Sequence, residues 1–507
     1  MQFNVLEYLE QAIIKNPDKT AYADDSTSFT FRQVYDKSRA LGSALGWHGI
    51  YKEPVVVFMK KSPVTITAFY GVIYSGNYYV PLDEEMPKER IQLIFQKLKP
   101  GAVICDTTTL ELIASFSYQG LILDCENLMN TPVNEAILSS IREKAIDTDP
   151  VYIVFTSGST GVPKGVVACH RSVIEYIENL SEVLKFNENT IFGNQAPLYV
   201  DACLKELYPT LKFTATTYLV PKSLFRFPVK LVEYLNEKKI NTICWVVSAL
   251  TMISSFGALE NVIPSHLHTI AFGSEVFPIK QFKLWRKALP HALFVNLYGP
   301  TEATGMSCYY IANHDFLEEE VIPIGRPFRN TEILLLDENN LPPGDGMAGE
   351  ICIRGTAVTL GYYEDFDKTK EAFVQNPLNS HYPEFIYRTG DMGKLNHKGE
   401  LVFLARRDNQ IKHMGHRIEL GEIENAVNNL EGIKSACALF DHDKKRILLY
   451  YVGNITTPAL IEGLKDKLPR YMLPNYLEAL TEMPLTPNGK INRVFLKEKG
   501  VQSNKNT

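Results

Sequence analysis

A loop rich in hydroxyl groups and glycine follows an apolar run near residue 155, and its single lysine completes a set of groups suited to an anion. Glycine lets backbone N–H groups approach an anion closely, serine and threonine donate hydrogen bonds to phosphate oxygens, and Lys164 adds a positive charge. We therefore predict a polyphosphate-binding loop that consists of Thr156, Ser157, Gly158, Ser159, Thr160, Gly161 and Lys164.

The ending of this loop argues against two other interpretations. A Walker A loop carries Ser or Thr directly after its lysine, whereas Gly165 follows Lys164 here, which disfavours a kinase or a P-loop NTPase. A flexible linker would not end in Pro-Lys-Gly between a strand pattern and a helix pattern.

The elements around the loop predict the fold class. Residues 151–155 form a short apolar run typical of a strand buried on both faces, and a helical pattern follows at residues 171–186. Strand and helix patterns alternate through most of the chain, which predicts an α/β protein with doubly wound sheets. Residues 321–404 predict a small β-rich subdomain within a large N-terminal domain, residues 1–405, and residues 406–507 predict a C-terminal α+β domain.

Composition excludes several classes of protein. A chain of 507 residues is too long for one hydrophobic core, and its formal charge of -6 offers no basic surface for nucleic acid. The eight cysteines lack the spacing of a zinc site and are predicted to be reduced and mostly buried. Glu7 and Glu10 interrupt the N-terminal stretch where a signal peptide needs an apolar run, and no stretch of about 20 apolar residues occurs. We expect a soluble, cytoplasmic protein that does not bind membranes.

Further residues suited to nucleotide chemistry lie downstream of the loop. In NLYGPTEAT, Tyr298 offers a ring for adenine to stack on, Asn296 an amide to contact the base edge, and Glu302 a carboxylate for Mg²⁺. In YRTGDM, Asp391 can accept hydrogen bonds from both ribose hydroxyls. Each has a plainer interpretation, because GPTE also describes a turn before a helix and Asp391 a turn residue after Gly390.

The loop and an ordered series of later stretches resemble the adenylate-forming superfamily, which holds acyl-CoA synthetases, luciferases and the adenylation domains of peptide synthetases. The series is NLYGPTEAT, YRTGDM, ARRDNQIKHMGHRIELGEIE, LPRYMLP and PNGKINR, in the family's order between residues 296 and 493. The resemblance implies that ATP and Mg²⁺ are the cofactors, that Glu302 holds the metal, and that Thr301, Glu302 and Lys490 are the catalytic groups. It implies that ATP is bound by the loop together with Gly273, Ser274, Asn296, Tyr298, Thr301, Asp391, Arg406 and Lys490.

The resemblance also implies roles for residues of the C-terminal domain. Arg406 would touch the nucleotide, Asp408 would be the hinge about which a mobile C-terminal domain rotates, and Gly415 would let a pantetheine arm pass close to the backbone. Lys490 would neutralise both the attacking carboxylate and the α-phosphate. The plainer interpretations are a solvated charged linker at residues 406–408 and a hairpin after which Lys490 is exposed.

The reaction implied by the family has two steps. A carboxylate attacks the α-phosphorus of MgATP and pyrophosphate leaves, after which a thiol attacks the acyl-adenylate. No enzyme nucleophile is required, and rotation of the C-terminal domain lets one site serve both steps.

The stretch APLYVDACLKELYPTL aligns with the part of the family that contacts the acid to be activated. Asp201 occupies the place of the carboxylate that pairs with the α-ammonium group of an amino acid, although Val200 and Cys203 replace the usual Phe and Ser. Lys205 lies four residues on, where it predicts either an i,i+4 salt bridge or a pocket cation for an acidic side chain. By the same alignment the pocket would be lined by Ala202, Lys205, Cys244, Ile270, Phe272, Leu297, Gly305 and Met306, a mostly apolar wall.

The chain ends soon after Lys490, which favours a stand-alone amino acid:carrier protein ligase similar to D-alanine-activating enzymes. The expected partner is a small, acidic, separate carrier protein with a phosphopantetheine thiol. Two rivals remain: an acyl-CoA synthetase for a small or aryl acid, which would not need Asp201, and a non-catalytic nucleotide-binding protein, which could lose Lys490 or Glu302 at no cost.

Overall fold

The computed structural model describes residues 2–116, 118–158, 161–407, 410–485 and 491–502. The helices of the described chain are α1 (Leu6–Lys15), α2 (Phe31–Trp47), α3 (Pro63–Tyr74), α4 (Lys88–Leu98), α5 (Thr107–Ile113), α6 (Cys125–Met129), α7 (Glu135–Lys144), α8 (His170–Leu184), α9 (Leu204–Phe213), α10 (Pro228–Glu237), α11 (Val247–Ser255), α12 (Ala258–Asn261), α13 (Ile279–Ala288), α14 (Phe366–Ala372), α15 (Leu420–Asn428), α16 (Thr457–Lys465) and α17 (Arg493–Gln502). Short 3₁₀ turns occur at Asp201–Cys203, Lys222–Arg226, Thr301–Ala303 and Arg470–Met472.

The strands of the described chain are β1 (Thr20–Ala23), β2 (Ser28–Thr30), β3 (Pro54–Phe58), β4 (Tyr78–Leu82), β5 (Ala102–Cys105), β6 (Leu121–Asp124), β7 (Pro150–Thr156), β8 (Lys164–Cys169), β9 (Ile191–Asn194), β10 (Thr216–Leu219), β11 (Thr242–Val246), β12 (Thr269–Gly273), β13 (Leu293–Tyr298), β14 (Cys308–Ile311), β15 (Arg326–Pro327), β16 (Thr331–Leu336), β17 (Gly349–Gly355), β18 (Phe373–Gln375), β19 (Phe385–Leu395), β20 (Leu401–Arg406), β21 (Gln410–His413), β22 (His416–Glu419), β23 (Ile433–Asp441), β24 (Arg446–Gly453) and β25 (Tyr476–Ala479).

The chain divides into two compact units. The first unit contains Met1–Glu84, Leu98–Val154 and Gly165–Arg407, and the second contains Glu85–Lys97, Phe155–Lys164 and Asp408–Thr507. The phosphate loop is therefore grouped with the C-terminal segment. The division expected from sequence, at residues 405 and 406, stays a prediction.

Two mixed sheets with parallel centres form the body of the first unit. In one, the strands follow the order β6-β5-β3-β4-β7-β8, and in the other β15-β14-β13-β12-β11-β9-β10-β1-β2. The run of β3 is Pro-Val-Val-Val-Phe and all five residues are buried, as expected for a parallel strand covered on both faces. Ser62 caps α3, whose first residue Pro63 starts the helix, and most of that helix is buried.

An antiparallel sheet completes the first unit. Its order is β16-β17-β19-β18, and β20 pairs with β19. The register of this last pair places Asp391 directly opposite Arg406. Side chains opposite each other on neighbouring strands can interact, so this sheet brings two of the predicted nucleotide-binding residues together.

The second unit has its own apolar core. β21 and β22 form a hairpin, β23, β24 and β25 form a three-stranded sheet, and α15 and α16 pack with them around Ile418, Ile423, Leu449 and Leu460. Helix α15 follows β22 directly, so Glu419 precedes the helix and Glu422 lies in its first turn.

The eight cysteines are all buried and free, as the sequence predicted. Among the described helices, none has the length and apolarity needed to cross a membrane.

Candidate active site

Asp391 lies at the centre of a buried polar cluster in the first unit. Its Oδ2 accepts a hydrogen bond of 2.5 Å from the hydroxyl of Tyr298, and its Oδ1 lies 2.6 Å from the guanidinium Nη1 of Arg406. Burial and the neighbouring Asp391 carboxylate raise the pKa of the Tyr298 hydroxyl well above its usual value, so this group stays protonated and donates. The structure thus brings three predicted nucleotide-binding residues into one cluster.

The same cluster can still accept the hydroxyls of a ribose. Each carboxylate oxygen has more than one lone pair, so Asp391 can accept further hydrogen bonds while it contacts Tyr298 and Arg406. Asn296, also on β13, donates its side-chain amide to the carbonyl of Pro323 at 2.8 Å, which fixes the orientation of that amide.

Glu302 lies on the 3₁₀ turn Thr301–Ala303, close after the end of β13, and its side chain is buried. The hydroxyl of Tyr362 donates a hydrogen bond of 2.8 Å to its Oε1. The described residues contain no group of three or more His, Cys, Asp or Glu side chains that could hold a metal ion by themselves. A single carboxylate fits Mg²⁺, because this ion is usually held by one or two carboxylates together with phosphate oxygens and water.

Of the predicted nucleotide residues, Gly273 is the last residue of β12 and Ser274 follows it. A Cβ on Gly273 would lie 2.2 Å from the carbonyl oxygen of Leu297, so only glycine fits beside β13. Ser274 has φ of +69°, a left-handed conformation that is uncommon for serine and occurs often at functional sites.

A small cavity of about 10 Å³ lies at the carboxyl ends of β11, β12 and β13. Most of the residues predicted to form the substrate pocket border it: Ala202, Lys205, Cys244, Phe272, Leu297 and Met306. It is also lined by Gln195, Ala196, Ala271, Gly273 and Ser274, among others. Asp201 immediately precedes Ala202 on its 3₁₀ turn and is partly buried.

Two of the predicted pocket residues do not border this cavity. Ile270 packs in an apolar cluster with Trp245 and Phe294. Ala271, the next residue along β12, borders the cavity together with its strand partner Cys244. Gly305 is also absent from the lining; with φ of +96° it faces the ring of Tyr176.

Lys205 is a buried cation on the cavity wall. Its exposed fraction is 6%, and its positive charge favours the ionised form of the neighbouring Glu206. Helix α9 begins at Leu204, and Asp201 lies on the 3₁₀ turn directly before it.

Two buried ionisable residues, Lys61 and Glu206, support the cavity wall, and no local sequence pattern predicts either of them. Lys61 donates hydrogen bonds to the carbonyls of Asn194, Gln195 and Ala196 at 3.0 to 3.3 Å. Glu206 accepts from the side-chain amide of Asn194 at 3.2 Å, and its Oε1 has no hydrogen-bond partner among the described residues. Burial raises the pKa of Glu206 to about 8 and lowers that of Lys61 to about 8, while attraction between opposite charges opposes both shifts.

The predicted phosphate loop in the second unit contacts the segment around α15. The Ser157 hydroxyl donates to the carbonyl of Arg417 at 2.8 Å and accepts from the N–H of Glu419 at 3.2 Å. The N–H of Gly158 donates to Oε2 of Glu422 at 3.3 Å, and the Lys164 ammonium lies 3.7 Å from Glu419. The groups predicted to bind phosphate thus contact oxygen atoms of this unit, two of which belong to carboxylates.

The remaining loop residues are placed as follows. Gly161 has φ of +81°, and the hydroxyl of Thr156 is buried with no hydrogen-bond partner in the part of the chain that the structure describes. Gly415 has φ of +79° in the two-residue turn between β21 and β22, where glycine is favoured. Ser159, Thr160, Asp408 and Lys490 lie outside the described residues.

The sequence of this chain is similar to those of known proteins. A family model described as AMP-binding enzyme matches residues 9–363. Tyrocidine synthase 1 of Brevibacillus parabrevis is 31% identical over 496 residues, which cover 96% of this chain and 44% of that protein. The chain therefore spans less than half the length of this curated relative.

Solved structures share the fold. A nonribosomal peptide synthetase protein containing adenylation and PCP domains superposes with a TM-score of 0.84 at 24% identity, covering 98% of this chain and 84% of that one. A double mutant of o-succinylbenzoate CoA synthetase from Bacillus subtilis superposes with a TM-score of 0.81 at 20% identity, covering 98% of each chain. The fold class predicted from sequence, a mixed α/β protein with a β-rich part, is confirmed.

Proposed function

Because the chain belongs to the AMP-binding enzyme family, we propose that it activates an amino acid as its aminoacyl-adenylate and transfers it to the phosphopantetheine thiol of a carrier protein. Family membership makes the chain an AMP-forming ligase that uses ATP, as the sequence predicted. We propose the class of acid, the acceptor thiol and the roles of individual residues.

The nucleoside would be held by the cluster around Asp391. The Asp391 carboxylate accepts from the ribose hydroxyls, and Arg406 neutralises its charge from the other side. Tyr298 presents its ring to the base while its hydroxyl stays bonded to Asp391. These contacts orient the nucleotide without taking part in bond making.

The phosphates would be held by the loop hydroxyls and Lys164, with Glu302 as the carboxylate ligand of Mg²⁺. The metal, when bound, withdraws charge from the phosphate oxygens. Lys490 would bring the carboxylate of the amino acid and the α-phosphate together by neutralising both, so that displacement of pyrophosphate needs positioning and electrostatic stabilisation.

An amino acid is favoured over a plain carboxylic acid by one observation: the carboxylate of Asp201 directly precedes Ala202 on the cavity wall. An ammonium group in the cavity would pair with this carboxylate, whereas a plain carboxylic acid has no cation to offer it. The fold shared with a CoA synthetase supports an acyl-CoA synthetase as the second candidate.

The acceptor is proposed from structural neighbours that contain both adenylation and PCP domains. A small, acidic, separate carrier with a phosphopantetheine thiol stays the prediction from sequence. Loading of radiolabelled amino acid onto such a carrier, compared with loading onto free CoA or pantetheine, measures this part of the proposal.

The reaction is tested by ATP–pyrophosphate exchange with each common L- and D-amino acid, using the wild type, Asp201→Asn and Asp18→Asn. Asp18 lies at the surface near Arg32, so Asp18→Asn is a control that also removes one carboxylate but does so away from the cavity. We expect strong exchange with one amino acid or a few similar ones, lost in Asp201→Asn and retained in Asp18→Asn. Exchange with plain carboxylic acids alone, together with CoA-dependent product, would overturn the proposal in favour of the acyl-CoA synthetase.

A further inference from the structure

A short segment, residues 359–363, forms hydrogen bonds both with β8, the strand after the phosphate loop, and with the turn that carries Glu302. The N–H of Val167 on β8 donates to the carbonyl of Gly361 at 3.0 Å, and the N–H of Tyr363 donates to the carbonyl of Gly165 at 2.8 Å. These bonds form an antiparallel bridge between the 359–363 segment and the first residues of β8.

The same segment holds Glu302 at two points. The N–H of Thr359 donates to the main-chain carbonyl of Glu302 at 3.0 Å, and the hydroxyl of Tyr362 donates to its carboxylate Oε1 at 2.8 Å. One bond restrains the backbone of the turn and the other restrains the orientation of the carboxylate. Loss of a hydrogen bond to a buried carboxylate is costly, because the carboxylate oxygen then loses a donor that water does not replace.

The position of the Tyr362 hydroxyl is itself closely determined. The ring of Tyr362 is 7% exposed and packs edge to face against Phe373, with the ring centres 5.8 Å apart. Its N–H donates to Oγ1 of Thr369 at 3.0 Å. Gly361 has φ of +103°, and a Cβ there would lie 2.5 Å from Thr369, so the approach of the segment to α14 requires glycine.

We propose that Tyr362 is a positioning residue, which orients the Glu302 carboxylate toward the divalent cation that accompanies ATP. The inference rests on the proposed function, in which Glu302 is the carboxylate ligand of Mg²⁺. Groups that hydrogen-bond to a metal ligand set its orientation, and their loss typically weakens metal affinity or activity by about 10- to 100-fold. The sequence identified Glu302 and gave no indication of Tyr362, because 60 residues separate them.

The test compares binding of ATP with and without magnesium. Calorimetric titrations of a non-hydrolysable ATP analogue, in excess Mg²⁺ and in EDTA, are made on the wild type and on Tyr362→Phe, Glu302→Gln and Tyr363→Phe. Tyr363→Phe removes a hydroxyl from the next residue, which contacts Tyr78 instead of Glu302 and so provides the matched control.

We expect Tyr362→Phe to weaken binding of the magnesium complex of the ATP analogue about 10-fold and to change its binding in EDTA by less than about 2-fold. The control Tyr363→Phe should bind like the wild type under both conditions. Thr369→Val, which removes the acceptor of the Tyr362 N–H, provides a second variant if Tyr362→Phe folds poorly, and its loss of affinity should likewise be confined to the magnesium complex.

Two results would overturn the inference, and they differ in what else they imply. If Glu302→Gln loses the gain in affinity due to magnesium and Tyr362→Phe keeps it, the role of Tyr362 is wrong and the proposed function is unaffected. If the wild type shows no such gain, or Glu302→Gln retains it, the assignment of Glu302 as the metal ligand fails, and the inference fails with it.

Discussion

The hydroxyl of Tyr298 donates a hydrogen bond of 2.5 Å to Oδ2 of Asp391, across 93 residues of sequence. Arg406, on the neighbouring strand, donates a hydrogen bond of 2.6 Å to the other carboxylate oxygen of Asp391. An aromatic ring, a carboxylate and a guanidinium group are thus fixed relative to one another before any nucleotide binds. This preorganisation lowers the ordering cost of binding a nucleoside.

Tyr298→Phe keeps the ring and removes the hydroxyl. Loss of a buried hydrogen bond to a carboxylate should lower the free energy of unfolding by about 1.5 to 3 kcal/mol, measured by urea denaturation. Affinity for ATP should fall only a few-fold in Tyr298→Phe, and by more than 10-fold in Tyr298→Leu, because stacking on an aromatic ring contributes about 1 to 3 kcal/mol per base. Equal ATP affinities for the two variants would contradict the stacking role.

Lys490→Ala should abolish adenylate formation and leave ATP binding largely intact. Removing one preorganised stabilising group from the transition state typically lowers kcat by about 100- to 1,000-fold. Adenylate formation is measured by pyrophosphate release, ATP binding by calorimetry, and Lys499→Ala, which lies on α17, provides the control. Unchanged turnover in Lys490→Ala would refute the role of this lysine.

Lys205→Met tests which amino acid the cavity accepts. A buried ammonium group is costly unless it is paired, and within the described residues Lys205 is attracted to Glu206 without forming a direct ion pair, so an anionic or acceptor-rich side chain of the substrate would supply a direct partner. We expect kcat/KM for the preferred amino acid to fall at least about 10-fold, with KM for ATP unchanged, since a hydrogen bond to a charged group contributes about 1.5 to 3 kcal/mol. An unaltered ranking across the amino-acid panel would show that Lys205 does not select the substrate.

Lys61 and Glu206 should depend on each other for stability. Lys61→Met removes the hydrogen bonds to three main-chain carbonyls and one of the two cations that favour the ionised form of Glu206, which should lower the free energy of unfolding by about 1 to 3 kcal/mol. The double variant Lys61→Met/Glu206→Gln should be more stable than the sum of the single changes by at least about 1 kcal/mol in urea unfolding. Lys60→Met, at an exposed neighbouring position, should have little effect. Additive single changes would show that the two charges do not interact.

His170 should make the fold less stable in acid. Burial lowers the pKa of His170 to about 3, and its Nδ1 accepts a hydrogen bond from the N–H of Val5 at 3.2 Å, which requires the unprotonated nitrogen. The unfolded chain binds a proton to this group below a pKa of about 6.5, whereas the folded chain binds it only near 3. Stability is therefore lost as the pH falls from about 6.5 toward 3, by about 2 kcal/mol at pH 5.

Urea unfolding of wild type and His170→Asn at pH 7 and pH 5 measures this effect. The variant should be less stable than the wild type at pH 7. Between pH 7 and pH 5 it should lose less stability than the wild type, because it lacks the part of the loss that is due to protonation of His170. Identical losses in the two proteins would mean that His170 is not buried in its neutral form.

Some of the site could be predicted from sequence because it depends on residue types that are close together in the chain. The hydroxyls, glycines and Lys164 of the phosphate loop follow directly after β7, and Ala202 and Lys205 lie within four residues of Asp201. The ordered motifs were sufficient to identify the family and the fold class.

Other features depend on contacts between distant parts of the chain, and only the tertiary structure decides them. The register of β19 with β20 places Asp391 opposite Arg406, and the packing around β12 leaves Ala271 on the cavity wall and Ile270 in an apolar cluster. The bond from Tyr362 to Glu302 and the support of the cavity wall by Lys61 have no local sequence signal. Residue types and short spacings determine which groups a chain offers, whereas strand register and side-chain packing determine which of those groups meet.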